Sequence, residues 1–155
     1  MNLSANSLKW LMRFYPPLFF NRIWVCSIST DFRHARVKVF RSVLNRNFNS
    51  SIFGGTIFTA SDPFYPLMIW GILRRKGYKV TVWMKSASIQ FLKPALSNLT
   101  MQFEIGDSEA QEAETILNEA GKYIHTFSLD VKNVTGEICA TIQNEVYARK
   151  LDHTF

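Results

Sequence analysis

Apolar residues recur along this chain with two different periods, and each change of period marks an element. In "SLKWLMRFYPP", Leu8, Leu11, Met12 and Tyr15 fall on one helical face, and Pro16 and Pro17 are expected to end that helix. Residues 22–29 and 35–40 read as strands. In the second, Val37 and Val39 point one way and Arg36 and Lys38 the other, with "TDFRH" as the hairpin turn between the two. A polar loop, "RSVLNRNFNSS", follows. Residues 56–73 are mainly apolar on every side, which predicts a helix buried all round. "RRKG" closes it, with cations that suit the helix dipole and a glycine for the cap.

Period two returns in residues 78–94. Val80, Val82 and Met84 share a phase, then Ile89 and Phe91 take the other, so a bulge or bend is expected near Ala87. Residues 98–106 alternate through Leu99, Met101, Phe103 and Ile105. Residues 107–121 read as a polar surface helix, with Ser108 and Gln111 as a capping box and Gly121 as its stop. Two strands, 122–131 and 136–150, close the chain through "KNVTG" and are expected to pair antiparallel.

A single apolar helix among six strands needs a wrapping, and an antiparallel sheet curled around it is the economical one. The expected class is therefore α+β, one domain over 1–155, with 1–21 an N-terminal helix and linker and 107–121 an inserted surface helix. Such a sheet leaves a face and its edges uncovered, so partner chains are expected.

Charge sharpens the picture. The net charge is +6, yet residues 1–103 hold 14 Lys/Arg and only two carboxylates, Asp31 and Asp62. That region should attract anions: nucleic acid, an anionic membrane surface, or a phosphorylated ligand such as coenzyme A. Nucleic acid is disfavoured, since no helix-turn-helix, zinc or stacking-platform pattern occurs. Cys26 and Cys139 form no metal pattern and are read as free thiols, and no metal is expected. The apolar run at 10–28 is interrupted by Arg13, Pro16, Pro17 and Arg22, so no membrane span is expected. Without an export signal, the reading is cytoplasmic.

One stretch, "FGGTIFTASDPFYP" at 53–66, fits none of these patterns. Two glycines open an apolar helix, and one carboxylate followed by two prolines interrupts it. Asp before Pro is also a common helix-start pair, the Asp capping and the Pro taking the first helical position, so Asp62 can be read as a cap alone.

The same stretch resembles the hotdog-fold thioesterases. In phenylacetyl-CoA-thioesterase-like members, His-Gly-Gly enters the central helix and an Asp follows; here Phe53-Gly54-Gly55 holds the first place and Asp62 the second, with Asn47 in the upstream loop. "FGGTIFTASDPF" together with "WMKSASIQFLKP" at 83–94 is closer still to an uncharacterised hotdog branch, a domain of unknown function. The resemblance covers roughly 20–148 and implies an antiparallel sheet of six strands around a long helix. It implies an acyl-CoA thioesterase-like hydrolase, with no cofactor beyond the coenzyme A of the substrate. The amides of Gly55 and Thr56 would hold the thioester carbonyl. Asp62, reaching the site from a neighbouring subunit of a homodimer or homotetramer, would be nucleophile or general base. Asn47, Phe53, Gly54, Phe58, Trp83 and Lys85 would line the substrate site. Phe64 and Met68 are further candidates for an acyl wall, and Lys93 and the Arg74-Arg75-Lys76 cluster for the phosphates. The departure is Phe53, since a phenyl ring donates no hydrogen bond where the family keeps histidine. It opens the alternative of a non-catalytic acyl-CoA or fatty-acyl binding protein. Of the three histidines, His34 falls in a turn, His125 in a strand and His153 in the tail.

Overall fold

The computed structural model describes residues 3–151. The order is α1 (Ala5–Phe14), α2 (Pro16–Phe20), β1 (Ile23–Ile28), β2 (His34–Val39), α3 (Gly54–Ser61), α4 (Phe64–Arg75), β3 (Val80–Phe91), β4 (Leu99–Glu104), α5 (Asp107–Ala120), β5 (Lys122–Lys132) and β6 (Ile138–Lys150). Six strands form one antiparallel sheet ordered β1-β2-β4-β5-β6-β3, against which α3 and α4 pack as the central helix. This is the expected hotdog architecture.

Alternation places the core. Val37 and Val39 of β2, Leu99, Met101 and Phe103 of β4, and Phe127, Leu129 and Val131 of β5 are all buried beneath the helix. Phe64 and Tyr65 meet them through rings of Phe103 and Phe127 with centroids 4.5–5.1 Å apart.

Several local expectations are corrected. Pro16 and Pro17 do not merely end α1; they occupy the first positions of α2, where a missing N–H costs nothing. The bulge in β3 lies between Met84 and Ser86, leaving Lys85 as the extra residue, slightly earlier than Ala87. The capping interaction of α5 is made by Glu109, whose carboxylate accepts from the Gly106 N–H at 2.7 Å, and not by Ser108 with Gln111. Nor is α5 a detached connector, because Ala110, Ala113 and Leu117 are buried. Lys76 pairs with Glu114, which also accepts from the Tyr78 hydroxyl, so α5 is tied to the end of α4.

The two sheet edges are treated differently. At β1, the Arg13 guanidinium donates to the carbonyls of Val25 (2.8 Å) and Cys26 (3.4 Å), and lies 4.3 Å from the ring centroids of both Trp10 and Trp24. Helix α1 thereby closes that edge. Among the described residues, β3, at the other end, pairs only with β6.

Candidate active site

The central helix is broken where the sequence breaks its own pattern. Pro63 has no N–H for the Thr59 carbonyl, and Pro66 has none for that of Asp62. The chain nonetheless stays right-handed through Asp62 (φ −60°, ψ −53°) and Pro63 (φ −83°, ψ −19°), so the result is a kink and not a loop. Because Asp62 remains helical, its side chain does not fold back to cap α4. Pro63 is the residue that precedes α4, and the Asp62 carboxylate has no hydrogen bond or ion pair among the described residues. The reading of Asp62 as a cap alone therefore fails on geometry.

The helix is also not buried all round. In α3, Thr56, Ile57, Ala60 and Ser61 face the core, while Gly55, Phe58 and Asp62 are exposed and Thr59 is half-buried between them. These four positions are spaced by three and four residues and form one open stripe. The Asp62 carboxyl is held above the usual carboxylate range by partial loss of hydration among apolar neighbours, although the residue as a whole is open to solvent. Beneath the kink, buried Asn144 of β6 donates to the Ser61 carbonyl at 3.4 Å, and its own carbonyl oxygen has no partner among the described residues.

At the helix start, the Phe53 carbonyl accepts from both Thr56 N–H (2.9 Å) and Ile57 N–H (3.3 Å). The expected Thr56 donor is thus already engaged, and its hydroxyl donates to Asn21 at 2.9 Å. The amides without an acceptor among the described residues are those of Gly54 and Gly55, one residue earlier than expected. Both glycines have a steric reason. A Cβ at Gly54 would stand 2.9 Å from Cζ of Phe91, and one at Gly55 would run into the ring of Phe53. Two phenyl rings therefore lie against the helix start, each occupying space that a side chain at the glycine would need.

A cavity of about 430 Å³ adjoins this start, bounded by Gly54, Ile57, Phe91, Asn47, Ser51 and Lys93 among others. Of the residues expected to bind substrate, Asn47 and Gly54 meet here, and Phe53 lies beside them on Gly55. Asn47 also organises its own loop, accepting from the backbone N–H groups of Asn49 and Ser51. Lys93 is paired with Glu137, which draws the Lys93 pKa up and the Glu137 pKa down. Phe91 and Ser51 were missed by pattern reading.

Other expected residues lie apart. Trp83 lies against Tyr147 with centroids 4.4 Å apart and ring planes tilted by 32°, and Lys85 pairs with Glu145 at 2.9 Å on the bulge of β3. Phe64 and Met68 are fully buried in the core, and neither borders the cavity at the helix start. At the far end of α4, Arg74 lies over Trp70, Arg75 donates to the Thr30 carbonyl, and Lys76 holds Glu114. Within one chain, those cations stand roughly 30 Å of helical rise from Gly55, well away from that helix start. His125 sits between Tyr123 and Phe127 and faces Glu109 and Glu112. His153 lies outside the described residues. No metal-binding cluster occurs among the described residues, and no helix among them is long and apolar enough to cross a membrane.

A family model described as a domain of unknown function (DUF4442) matches residues 5–147. No curated protein matches. Among solved structures, a Pseudomonas aeruginosa protein of unknown function named "Probable Thioesterase" aligns with TM-score 0.84 at 16% identity, over 97% of this chain and 99% of that one. A Haemophilus influenzae thioesterase aligns with TM-score 0.71 at 12% identity, over 100% of this chain and 97% of that one. The Escherichia coli PaaI protein from the phenylacetic acid degradation operon aligns with TM-score 0.61 at 13% identity, over 97% of this chain and 99% of that one. At these identities the likeness is one of fold.

Proposed function

Because this chain belongs to the DUF4442 family and has the hotdog fold, we propose that it hydrolyses acyl thioesters of the acyl-CoA class. The observation that carries the reading is the open stripe of α3. It begins beside two free amides and ends at a carboxylate that caps nothing and pairs with nothing among the described residues. The amides of Gly54 and Gly55 hold the thioester carbonyl oxygen as negative charge develops on it. Asp62 takes a proton from the attacking water, whose oxygen bonds to the carbonyl carbon; the C–S bond breaks, the proton passes from Asp62 to sulfur, and a carboxylic acid and coenzyme A thiol leave. If Asp62 instead attacks the carbonyl itself, the thiolate departs and is protonated by solvent, and water then hydrolyses the mixed anhydride, releasing the acid and restoring the carboxylate.

Seven residues of helix separate Gly55 from Asp62, about 10 Å of rise. One chain therefore cannot apply both groups to one carbonyl. A working site takes its helix start from one subunit and Asp62 from another, in a homodimer or homotetramer acting in the cytoplasm. No cofactor is needed beyond the coenzyme A of the substrate.

Phe53 favours a second reading, a binding protein without turnover, because its ring covers Gly55 and supplies no donor. Thiol release measured across short, aromatic and long acyl-CoAs separates the two. Release above the spontaneous rate supports the hydrolase; saturable binding without release selects the binding protein; neither sinks both. Sedimentation showing only monomer at micromolar concentration sinks the shared site.

A further inference from the structure

Helix α1 turns Ala5, Leu8 and Met12 inward, and five-residue α2 buries only Leu18. Their outer side is not a polar face. Trp10 (46% exposed), Leu11, Phe14 (63%), Tyr15, Phe19 and Phe20 (66%) all stand in solvent. Four of them make a continuous row of rings: Trp10 to Phe14 at 6.3 Å, Phe14 to Phe19 at 6.3 Å, and Phe19 to Phe20 at 5.5 Å. Five half-exposed aromatics amount to roughly 500 Å² of contiguous apolar surface, at the upper end of the largest patch on a typical monomer.

The segment that carries this row has charge of one sign. Residues 1–30 contain Lys9, Arg13 and Arg22 and no carboxylate. Arg13 is turned under the helix to the edge of β1, while Arg22 is exposed and Lys9 lies 5.7 Å from the Trp10 ring centroid.

We propose that the outer face of α1 and α2 docks this protein on an anionic lipid surface. A ring row flanked by cations satisfies both parts of such a surface, the rings entering the headgroup boundary and the cations meeting lipid phosphates. Trp and Tyr suit that boundary, each having an apolar body with a polar edge. A second copy of the chain fits less well, since a two-fold contact lays the patch on itself and brings like cations together. The helices lie on the surface and do not cross it. The inference is independent of the thioesterase reading.

The test is co-sedimentation of the full chain with vesicles of phosphatidylcholine alone or mixed equally with phosphatidylglycerol. Binding is expected on the anionic vesicles, weak on phosphatidylcholine, and reduced as salt approaches about 1 M, where screening acts within ~3 Å. The double variant Phe14→Ser/Phe20→Ser should lower partitioning at least tenfold. A Lys9→Glu/Arg22→Glu variant should also lower it, and decides the matter if the first variant loses its fold. Absence of binding by the wild type, equal binding to neutral vesicles, or undiminished binding by both variants overturns the proposal. So does a Phe14→Ser/Phe20→Ser protein that changes oligomeric state while the wild type ignores vesicles, for then a second copy covers the face.

Discussion

If the active site joins the helix start of one chain to Asp62 of another, two inactive variants should repair each other. Gly55→Val puts a branched side chain into the space held by the Phe53 ring and shuts the approach to the free amides. Asp62→Asn leaves the helix start open and removes the carboxylate. Each alone should lower turnover about 10²-fold or more, the scale of a lost general base or oxyanion donor. Neither position carries a core contact, and Asp62 makes no bond to lose, so both proteins should fold. The pH dependence of stability supplies a check on Asp62. Its pKa is raised in the folded state, so the folded protein holds the proton longer than the unfolded chain. Stability then falls as pH rises from the ordinary aspartate value of 3.8 through the folded value, and Asp62→Asn should lack that fall. Mixed in equal amounts and allowed to exchange subunits, the two variants form mixed dimers in half of the population. Each mixed dimer has one of its two sites intact, so activity should return to about a quarter of wild type. The assay is thiol release before and after exchange, with mixed dimers counted by differently tagged chains. Mixed dimers without recovered activity would falsify the shared site, because a site contained within one chain is damaged in both variants.

Three further outcomes concern stability. Gly71→Ala should cost about 1–3 kcal/mol by overpacking, since its Cβ would enter the ring of Phe32, where even Cδ2 lies at 2.8 Å; unaltered denaturant unfolding would refute that packing. Tyr123→Phe should leave stability unchanged or raise it by about 1 kcal/mol, because burial raises the hydroxyl's pKa and it has no partner among the described residues. A loss of similar size in thermal melts would show that the hydroxyl has a partner after all. Arg13→Leu keeps bulk beside Trp10 and Trp24 but frees the carbonyls of Val25 and Cys26. It should cost about 1–3 kcal/mol, and denaturant unfolding indistinguishable from wild type would show that Arg13 does not close the edge.

The fold was readable because one face of nearly every strand is buried. Where Val37 and Val39 alternate with Arg36 and Lys38, only one register keeps the valines at zero exposure. The kink was readable from Pro63 and Pro66, since a missing N–H leaves no alternative bond. The position of the β3 bulge was not: between Met84 and Ala87 the only residues are Lys85 and Ser86, and polar side chains tolerate either side of an edge strand. The free amides were misplaced by one residue because the choice rests on where the Phe53 carbonyl points. Phe53 has φ −58° and ψ 134°, which turns that carbonyl onto Thr56 and Ile57, a backbone matter with no side-chain signature. Phe91 has the phase of a core residue, yet the strand outruns the helix start, and its ring covers Gly54 at the lip of a cavity. The Lys93–Glu137 pair joins residues 44 apart, beyond what local pattern can report.

The unequal edges of the sheet carry one more consequence. A strand edge is a socket for another strand, and a protein with two sockets can link copies without limit into a fibre. Here Arg13 stops one socket by giving its donors to the carbonyls of β1. Of the sheet's two outer edges, the β3 side is the one left open among the described residues, so pairing at the outer edges has a valence of one. Two molecules that join there consume both of their open edges and leave nothing for a third, and growth stops at the first step. A single buried guanidinium thus acts as a chain terminator, turning a surface that invites polymerisation into one that permits a finite assembly.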